Sequence, residues 1–397
     1  ATPDRQLPLN KALILSPFFF PEPISTGKYN TYLAQSLRNE GFEVEVMCCH
    51  PVYPKWEVES TNDQLEGVLS IRGGQGLKFP SNMLLRRLIL ELWYLQFVLF
   101  NYWSRRNIYN VVIPIFPPSM FMLAISLLKP KKAKVVGIVH DLQGVYSSYT
   151  GGYVRKWIYR CIALVEKRAF KACDHLIFLS EGMRKVASEA YALKRETSSV
   201  QYPFVTIEKF ENNGDLADLI PDGEQAIVYS GALGEKQSPE NLMKLFLFLL
   251  EAKAELKAHI FSQGPIYERL KETHRHPRLQ FHSLVKEEML PELLMRSTVQ
   301  VIPQESGSSD GSLPSKLPNL LAAGTKILCI TDPDSELAQI IGSYSQGGVA
   351  TSWEMKPLVQ IASDLLEKDG MEYRDGDHVH LKQFTRQGLV GKIKAVV

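Results

Sequence analysis

From Lys11 onward the chain alternates short, continuously apolar runs with longer stretches of helical periodicity. Leu13–Leu15 within Lys11–Ser16, then Val44–Cys48 apart from Glu45, Val111–Ile115, Val135–Val139 and Leu176–Leu179, are apolar at successive positions and rich in β-branched residues. That is the pattern of strands buried on both faces, as in a parallel sheet. Between them Thr31–Asn39, Met83–Trp103, Phe121–Leu128 and Val154–Lys171 carry helical patterns. The resulting βαβα order predicts a parallel sheet with helices on both faces.

The alternation breaks at Glu208-Lys209-Phe210-Glu211-Asn212-Asn213-Gly214-Asp215 and Pro221-Asp222-Gly223, which are polar and rich in turn formers. Such a stretch reads as an interdomain linker. A second alternation follows, with strands expected at Ala226–Ser230, Leu256–Phe261, Leu279–His282, Val299–Pro303 and Lys326–Ile330. Helices are expected at Pro239–Glu251, Ile266–Thr273, Lys286–Met295 and Pro314–Ala323. The pattern thus predicts an α/β chain of two facing Rossmann-like, doubly wound halves: 1–207, a linker over 208–224, and 225–375. A helix within 376–397 is expected to pack back toward the first half. Ligands of such sheets bind beyond the carboxyl ends of the strands, so a deep cleft between the halves is the expected site.

Composition changes this picture little. A chain of 397 residues fits two domains at roughly 150 residues each, and 45 Lys and Arg against 43 Asp and Glu leave a net charge of +2. No long basic block marks a nucleic-acid binder. Cys48, Cys49, Cys161, Cys173 and Cys329 are odd in number and scattered, without metal or disulfide spacing, which fits a reducing compartment. Ala1–Asn10 lacks a basic segment followed by an apolar one, so no secretory signal is expected and a cytoplasmic location is.

Met83–Trp103 is the one complication. It is dense in apolar side chains, bracketed by Arg86-Arg87 and Arg105-Arg106, and close to the roughly 20 residues that a membrane span needs. Arg87, Glu91, Tyr94, Asn101 and Arg105 recur at helical spacing as a polar stripe, so an amphipathic helix fits better than a span. It would either face the core or touch a bilayer surface.

Four segments are placed to carry chemistry. Ser16–Tyr29, following the first strand, offers Gly27 for a close backbone approach ahead of a helix start. It lacks G-x-G-x-x-G, which argues against a nicotinamide dinucleotide site and an oxidoreductase. His140 and Asp141 end the strand of Val135–Val139, where an imidazole can meet a sugar hydroxyl or assist proton transfer. In Tyr229–Pro239, Gly231 and Gly234 admit a diphosphate, Lys236 neutralises it and a helix start faces it. No Walker pattern is present, which disfavours ATP hydrolysis. In Pro303–Gly324, Pro314 suits a first helical turn whose amides at Ser315 and Lys316 would hold phosphate, while Ser315 and Asn319 share one helix side. Glu305 and Asp310 lie on the Gly/Ser loop upstream, placed to wrap a hydroxyl-rich group.

With these residues in view, the chain resembles the retaining GT-B glycosyltransferases of family four, and within them the bacterial transferases of colanic acid, O-antigen and exopolysaccharide synthesis. The carriers are Phe20-Pro21-Glu22-Pro23 through Gly27, Phe116-Pro117-Pro118-Ser119, His140-Asp141-Leu142 and Ser230-Gly231-Ala232-Leu233-Gly234-Glu235-Lys236-Gln237. Ser262-Gln263-Gly264-Pro265 is similar to the family's G-x-G-P turn with its first glycine replaced, and Pro314-Ser315-Lys316-Leu317 is the most specific match.

The resemblance implies an acceptor in the first domain and a nucleotide-activated sugar, UDP favoured over GDP, in the second. Lys236, Gln237, Ser312, Ser315 and Lys316 would hold the donor with Gly27, Gly231, Gly234, Ser262 and Gly264. Asn319 stands where the family usually has a ribose-binding Glu, the second of an E-x7-E pair whose first position is here Gly311. Glu305 or Asp310 would then make the sugar contact. No metal or further cofactor is expected, because lysines and helix starts face the charge that grows on the leaving diphosphate. A lipid-linked acceptor would bring the enzyme to the inner membrane surface through Met83 to Arg106. The rival readings are a sugar-nucleotide epimerase of the same fold and a non-catalytic sugar-nucleotide-binding protein.

Overall fold

A computed structural model describes residues 10–22, 24–53, 55–128, 132–143, 153–307, 313–368 and 381–397, with backbone alone at 153–156 and 159. The chain divides into two compact units, with the boundary between Tyr202 and Pro203 and with Arg386–Val397 belonging to the first.

The first unit holds seven strands: β1 Lys11–Leu15, β2 Glu43–Cys49, β3 Val68–Gly73, β4 Val111–Phe116, β5 Lys134–Val139, β6 His175–Phe178 and β7 Ser198–Val200. They pair in the order β3-β2-β1-β4-β5-β6-β7, all parallel. The second unit repeats the plan with β8 Ala226–Ser230, β9 Lys257–Phe261, β10 Leu279–His282, β11 Val299–Pro303, β12 Lys326–Ile330 and β13 Gly347–Ala350, in the order β10-β9-β8-β11-β12-β13. In each sheet the strand order reverses at the first strand: β1 lies between β2 and β4, and β8 between β9 and β11. Ligands of doubly wound sheets gather beyond the carboxyl ends at that reversal.

The continuously apolar runs are the interior strands. β1, β4 and β5 in one sheet and β8, β11 and β12 in the other are buried almost throughout. Three strands that the sequence pattern does not predict, β3, β7 and β13, are all edge strands, pressed on one side only. The terminal helix Arg386–Lys394 packs on Ser25–Asn39, with Arg386 over the Tyr32 ring at 4.1 Å and Lys394 Nζ 2.9 Å from a Glu40 carboxylate oxygen.

Three helix readings change. The first helix begins at Ser25 rather than Thr31, so Gly27 and Lys28 lie in its opening turn. The expected helix Lys286–Met295 is a short 3-10 turn, Glu287–Met289, continuing into Leu290–Arg296. The helix expected from Pro314 begins at Leu317, after a turn in which Leu317 N donates to Pro314 O.

Met83–Trp103 is a helix over the expected residues, capped by Asn82, whose side chain accepts from Leu84 N and Leu85 N. Its polar stripe, however, serves the protein side. Tyr94 is fully buried and donates to Met47 O at 2.7 Å, and the Glu91 carboxylate accepts from the amides of Ser119 and Met120. Arg105 approaches the buried Glu45 at 3.5 Å. The side left to solvent is the apolar one: Leu85, Leu88, Leu92, Phe100 and Trp103 are each between 49% and 70% exposed. Among the described residues no helix is long and apolar enough to cross a membrane.

Candidate functional site

At the carboxyl ends of β8 and β11 the second unit contains a cavity of about 330 Å³. β8 ends in Tyr229 and Ser230, and the chain then turns through Gly231, whose φ of +138° is a conformation that side chains disfavour. Gly231 N donates to Phe261 O of the neighbouring strand. Gly234 N donates to Gln237 Oε1 at 2.8 Å, which closes the short turn Glu235–Gln237. Ser238 then adopts a left-handed conformation, φ +47°, to start the helix Pro239–Ala252 with proline at its first position.

The loop after β11 is tied to this turn, because Glu305 N donates to Lys236 O at 2.7 Å. Gln304 is fixed from both sides: its carbonyl accepts from Trp353 Nε1 at 2.9 Å and its side-chain oxygen from Thr331 Oγ1. Pro314, Ser315 and Lys316 close the remaining wall. Gly231, Ala232, Lys236 and Gln237 thus line one cavity with Pro314–Lys316, 77 to 85 residues away in the chain, while Gly234 is not part of its lining. Its size falls in the range of small-molecule sites.

Lys316 is the electrostatic centre of this cavity. Its ammonium donates to Val301 O at 2.8 Å and Ser230 O at 3.3 Å, bridging the ends of β11 and β8, and lies 4.5 Å from the centre of the Tyr229 ring. Two of its three protons meet backbone carbonyls, leaving one for a ligand. Carbonyls and an aromatic face do not replace bulk water, so burial pulls its pKa down to about 7. Lys236, by contrast, is exposed at the rim.

Not every expected donor residue lines the cavity. The Asn319 side chain is committed to the chain leading into the unit: Oδ1 accepts from Thr206 N at 2.9 Å and Ile207 N at 3.3 Å, and Nδ2 donates to Thr206 Oγ1. Asparagine suits this task because it both accepts and donates, which a carboxylate cannot do. Ser262 Oγ is buried without a hydrogen-bond partner among the described residues, and Gly264 caps the helix Pro265–Thr273. Glu305 is exposed beyond the β11 end. Asp310 and Ser312 lie outside the described residues. Tyr229 and Gln304 line the cavity without having been singled out in the sequence; their positions at strand carboxyl ends were the available signal.

In the first unit His140 follows β5, and its backbone N donates to Phe116 O at 2.9 Å. The imidazole meets the Tyr29 ring edge-on at 4.4 Å, and Nε2 is buried with no hydrogen-bond partner among the described residues. Burial lowers its pKa to about 4, so the ring is neutral at pH 7 and keeps one donor and one acceptor nitrogen. Asp141 Oδ1 accepts from Leu142 N, which shapes the strand end. Gly27 packs against Glu22, whose buried carboxylate accepts from Val52 N and Tyr53 N, both at 2.8 Å.

Comparison with known proteins agrees with this architecture. Residues 26–209 match Glycosyltransferase Family 4. Over 391 residues the chain is 24% identical to a protein of Escherichia coli (strain K12) named as a colanic acid biosynthesis glycosyl transferase, WcaI, covering 89% of this chain and 91% of that one. Among solved structures, the sucrose-phosphate synthase of Thermosynechococcus elongatus is similar with a TM-score of 0.72 at 13% identity, over 97% of this chain and 98% of its own. WaaG, a glycosyltransferase involved in lipopolysaccharide biosynthesis, is similar with a TM-score of 0.68 at 13% identity, over 96% of this chain and 99% of its own. The chain therefore has the GT-B fold, and its residues 26–209 are similar to Glycosyltransferase Family 4.

Proposed function

We propose that the protein is a retaining glycosyltransferase that moves a sugar from a nucleotide-diphosphate sugar, a UDP-sugar before others, to a saccharide or lipid-linked saccharide in bacterial surface polysaccharide synthesis. The observation that carries the reading is the cavity at the ends of β8 and β11, where glycine-turn backbone, Lys236 and the buried ammonium of Lys316 converge on a space fit for a diphosphate. Transfer breaks the bond between the anomeric carbon and the diphosphate oxygen and forms one to the acceptor oxygen on the same face. The acceptor's proton goes to the departing phosphate oxygen. Negative charge grows on the diphosphate as the bond breaks, so Lys236 and Lys316 act where stabilisation lowers the barrier.

In the first unit, neutral His140 at the carboxyl end of β5 faces the acceptor sugar, with Asp141 beside it. The helix Met83–Trp103 and the arginines at its end bring the protein to the membrane surface where a lipid-linked acceptor lies. Lys236→Ala should lower turnover by about a hundredfold or more while moving stability by no more than about 0.5 kcal/mol, because the side chain is exposed. Turnover and donor affinity equal to those of the parent protein, by transfer assay and calorimetry, would refute the assignment. A thermal-shift series over sugar nucleotides identifies the donor, since a ligand of the folded state raises its stability. Binding without transfer or hydrolysis would mark a non-catalytic protein, and turnover without acceptor an epimerase.

A further inference from the structure

Residues 83–171 carry fourteen Lys and Arg against three Asp and Glu, in a chain whose net charge is only +2. Two of the three carboxylates turn inward: Glu91 accepts from Ser119 and Met120, and Glu166, 2% exposed, accepts from Gln143 N and Tyr191 OH. The helices Met83–Trp103, Met122–Leu127 and Tyr153–Lys171 of this stretch form one layer over the sheet. The same core takes Tyr94 and Val98 from the first, Met122 and Ile125 from the second, and Ala169 and Phe170 from the third.

The outer side of that layer is apolar and cationic together. Met83–Trp103 presents Leu85, Leu88, Leu92, Phe100 and Trp103, and Leu127 of the middle helix is 80% exposed. Tyr153–Lys171 presents Trp157, Arg160, Leu164, Arg168 and Lys171, three or four residues apart and hence on one helix side. Among the described residues none of Arg160, Arg168 and Lys171 is in an ion pair with a carboxylate.

We propose that this three-helix face, rather than Met83–Trp103 alone, is a docking surface for an anionic lipid bilayer. The Leu, Phe and Trp side chains enter the headgroup boundary while Arg160, Arg168 and Lys171 meet lipid phosphates. The inference rests on the reading that the protein works at a membrane, and adds its lipid class and the second helix. Charge decides against a second copy as the occupant. A two-fold interface would set this face against itself, opposing cation to cation, whereas an anionic bilayer attracts each basic residue near its surface.

Flotation of the intact protein with phosphatidylcholine vesicles, with and without phosphatidylglycerol, tests it. Binding is expected only with phosphatidylglycerol and should weaken as salt rises. Arg160→Glu/Arg168→Glu should weaken it by about tenfold or more per residue, and Leu88→Gln/Leu92→Gln should abolish it; an unchanged thermal midpoint certifies each variant as folded. Parental binding by the arginine variant, with loss in the leucine variant, would overturn the wider face while leaving the membrane reading intact. Equal binding to both vesicles would overturn the anionic preference, and no binding to either would overturn both. A dimer in sedimentation that the leucine variant dissolves would assign the face to a second copy and overturn the proposal.

Discussion

A few side chains carry more of this protein's chemistry than their residue types announce. Lys316 in an unstructured chain would be fully protonated at neutral pH, yet among the strand-end carbonyls its pKa is about 7. Close approach of a diphosphate must draw it back to the charged state. UDP binding near pH 8 should therefore be coupled to proton uptake, read as a calorimetric heat that changes with the ionisation enthalpy of the buffer. Lys316→Met should remove that dependence, and identical heats across buffers in the parent protein would contradict the assignment. Gly27 shows the opposite case, a suspected ligand contact with a steric reason of its own. A Cβ there would sit 2.9 Å from Glu22 O and 3.0 Å from Glu22 Cβ. Alanine gains up to about 1 kcal/mol of helix propensity, but crowding a backbone oxygen costs about 1–3 kcal/mol. Gly27→Ala should thus lower stability by about 1 kcal/mol in urea unfolding.

At the scale of elements, legibility tracked burial. Interior strands such as β4, and β12 after its first residue Lys326, are apolar at every position because helices cover both faces. Edge strands need no such run: β7 is Ser-Ser-Val and β13 Gly-Gly-Val-Ala, and neither stands out from a loop in sequence. The helix Met83–Trp103 was legible in its limits and misleading in its orientation. Periodicity reports that two sides differ but not which one meets the protein, and here Tyr94 and Glu91 find buried partners while the leucines do not. Tyr94→Phe should cost about 1 kcal/mol, measured by chemical denaturation, because the Met47 carbonyl loses the shorter of its two hydrogen bonds and keeps only the one from Ser16 N. No change would mean that the hydroxyl contributes nothing to seating the helix.

For the whole molecule, each unit buries a histidine whose charged form the fold disfavours. His140 in the first and His282 in the second have pKa values of about 4 through burial, with neighbouring His259 adding to the second case. An unfolded histidine titrates near 6.5, so between about 4 and 6.5 the unfolded chain binds more protons than the folded one. The stability these groups contribute is complete above 6.5 and is lost as pH falls toward 4. Urea midpoints should fall across that window, and His282→Gln should flatten part of the slope. A midpoint independent of pH there would show that the imidazoles are not held neutral.

The alternating pattern alone determined two doubly wound halves, the interior strands and the loops at strand ends that carry glycine, lysine and histidine. These depend on local composition and on burial, which leave a mark at every turn of the chain. Only the tertiary structure decided where those side chains point. Asn319 reaches Thr206 across 113 residues and Lys316 reaches Ser230 across 86, and no local pattern registers a partner that far away. The same holds for the bare leucine side of Met83–Trp103, since a helix is turned by whichever side finds hydrogen-bond partners in the core, and those partners come from other elements.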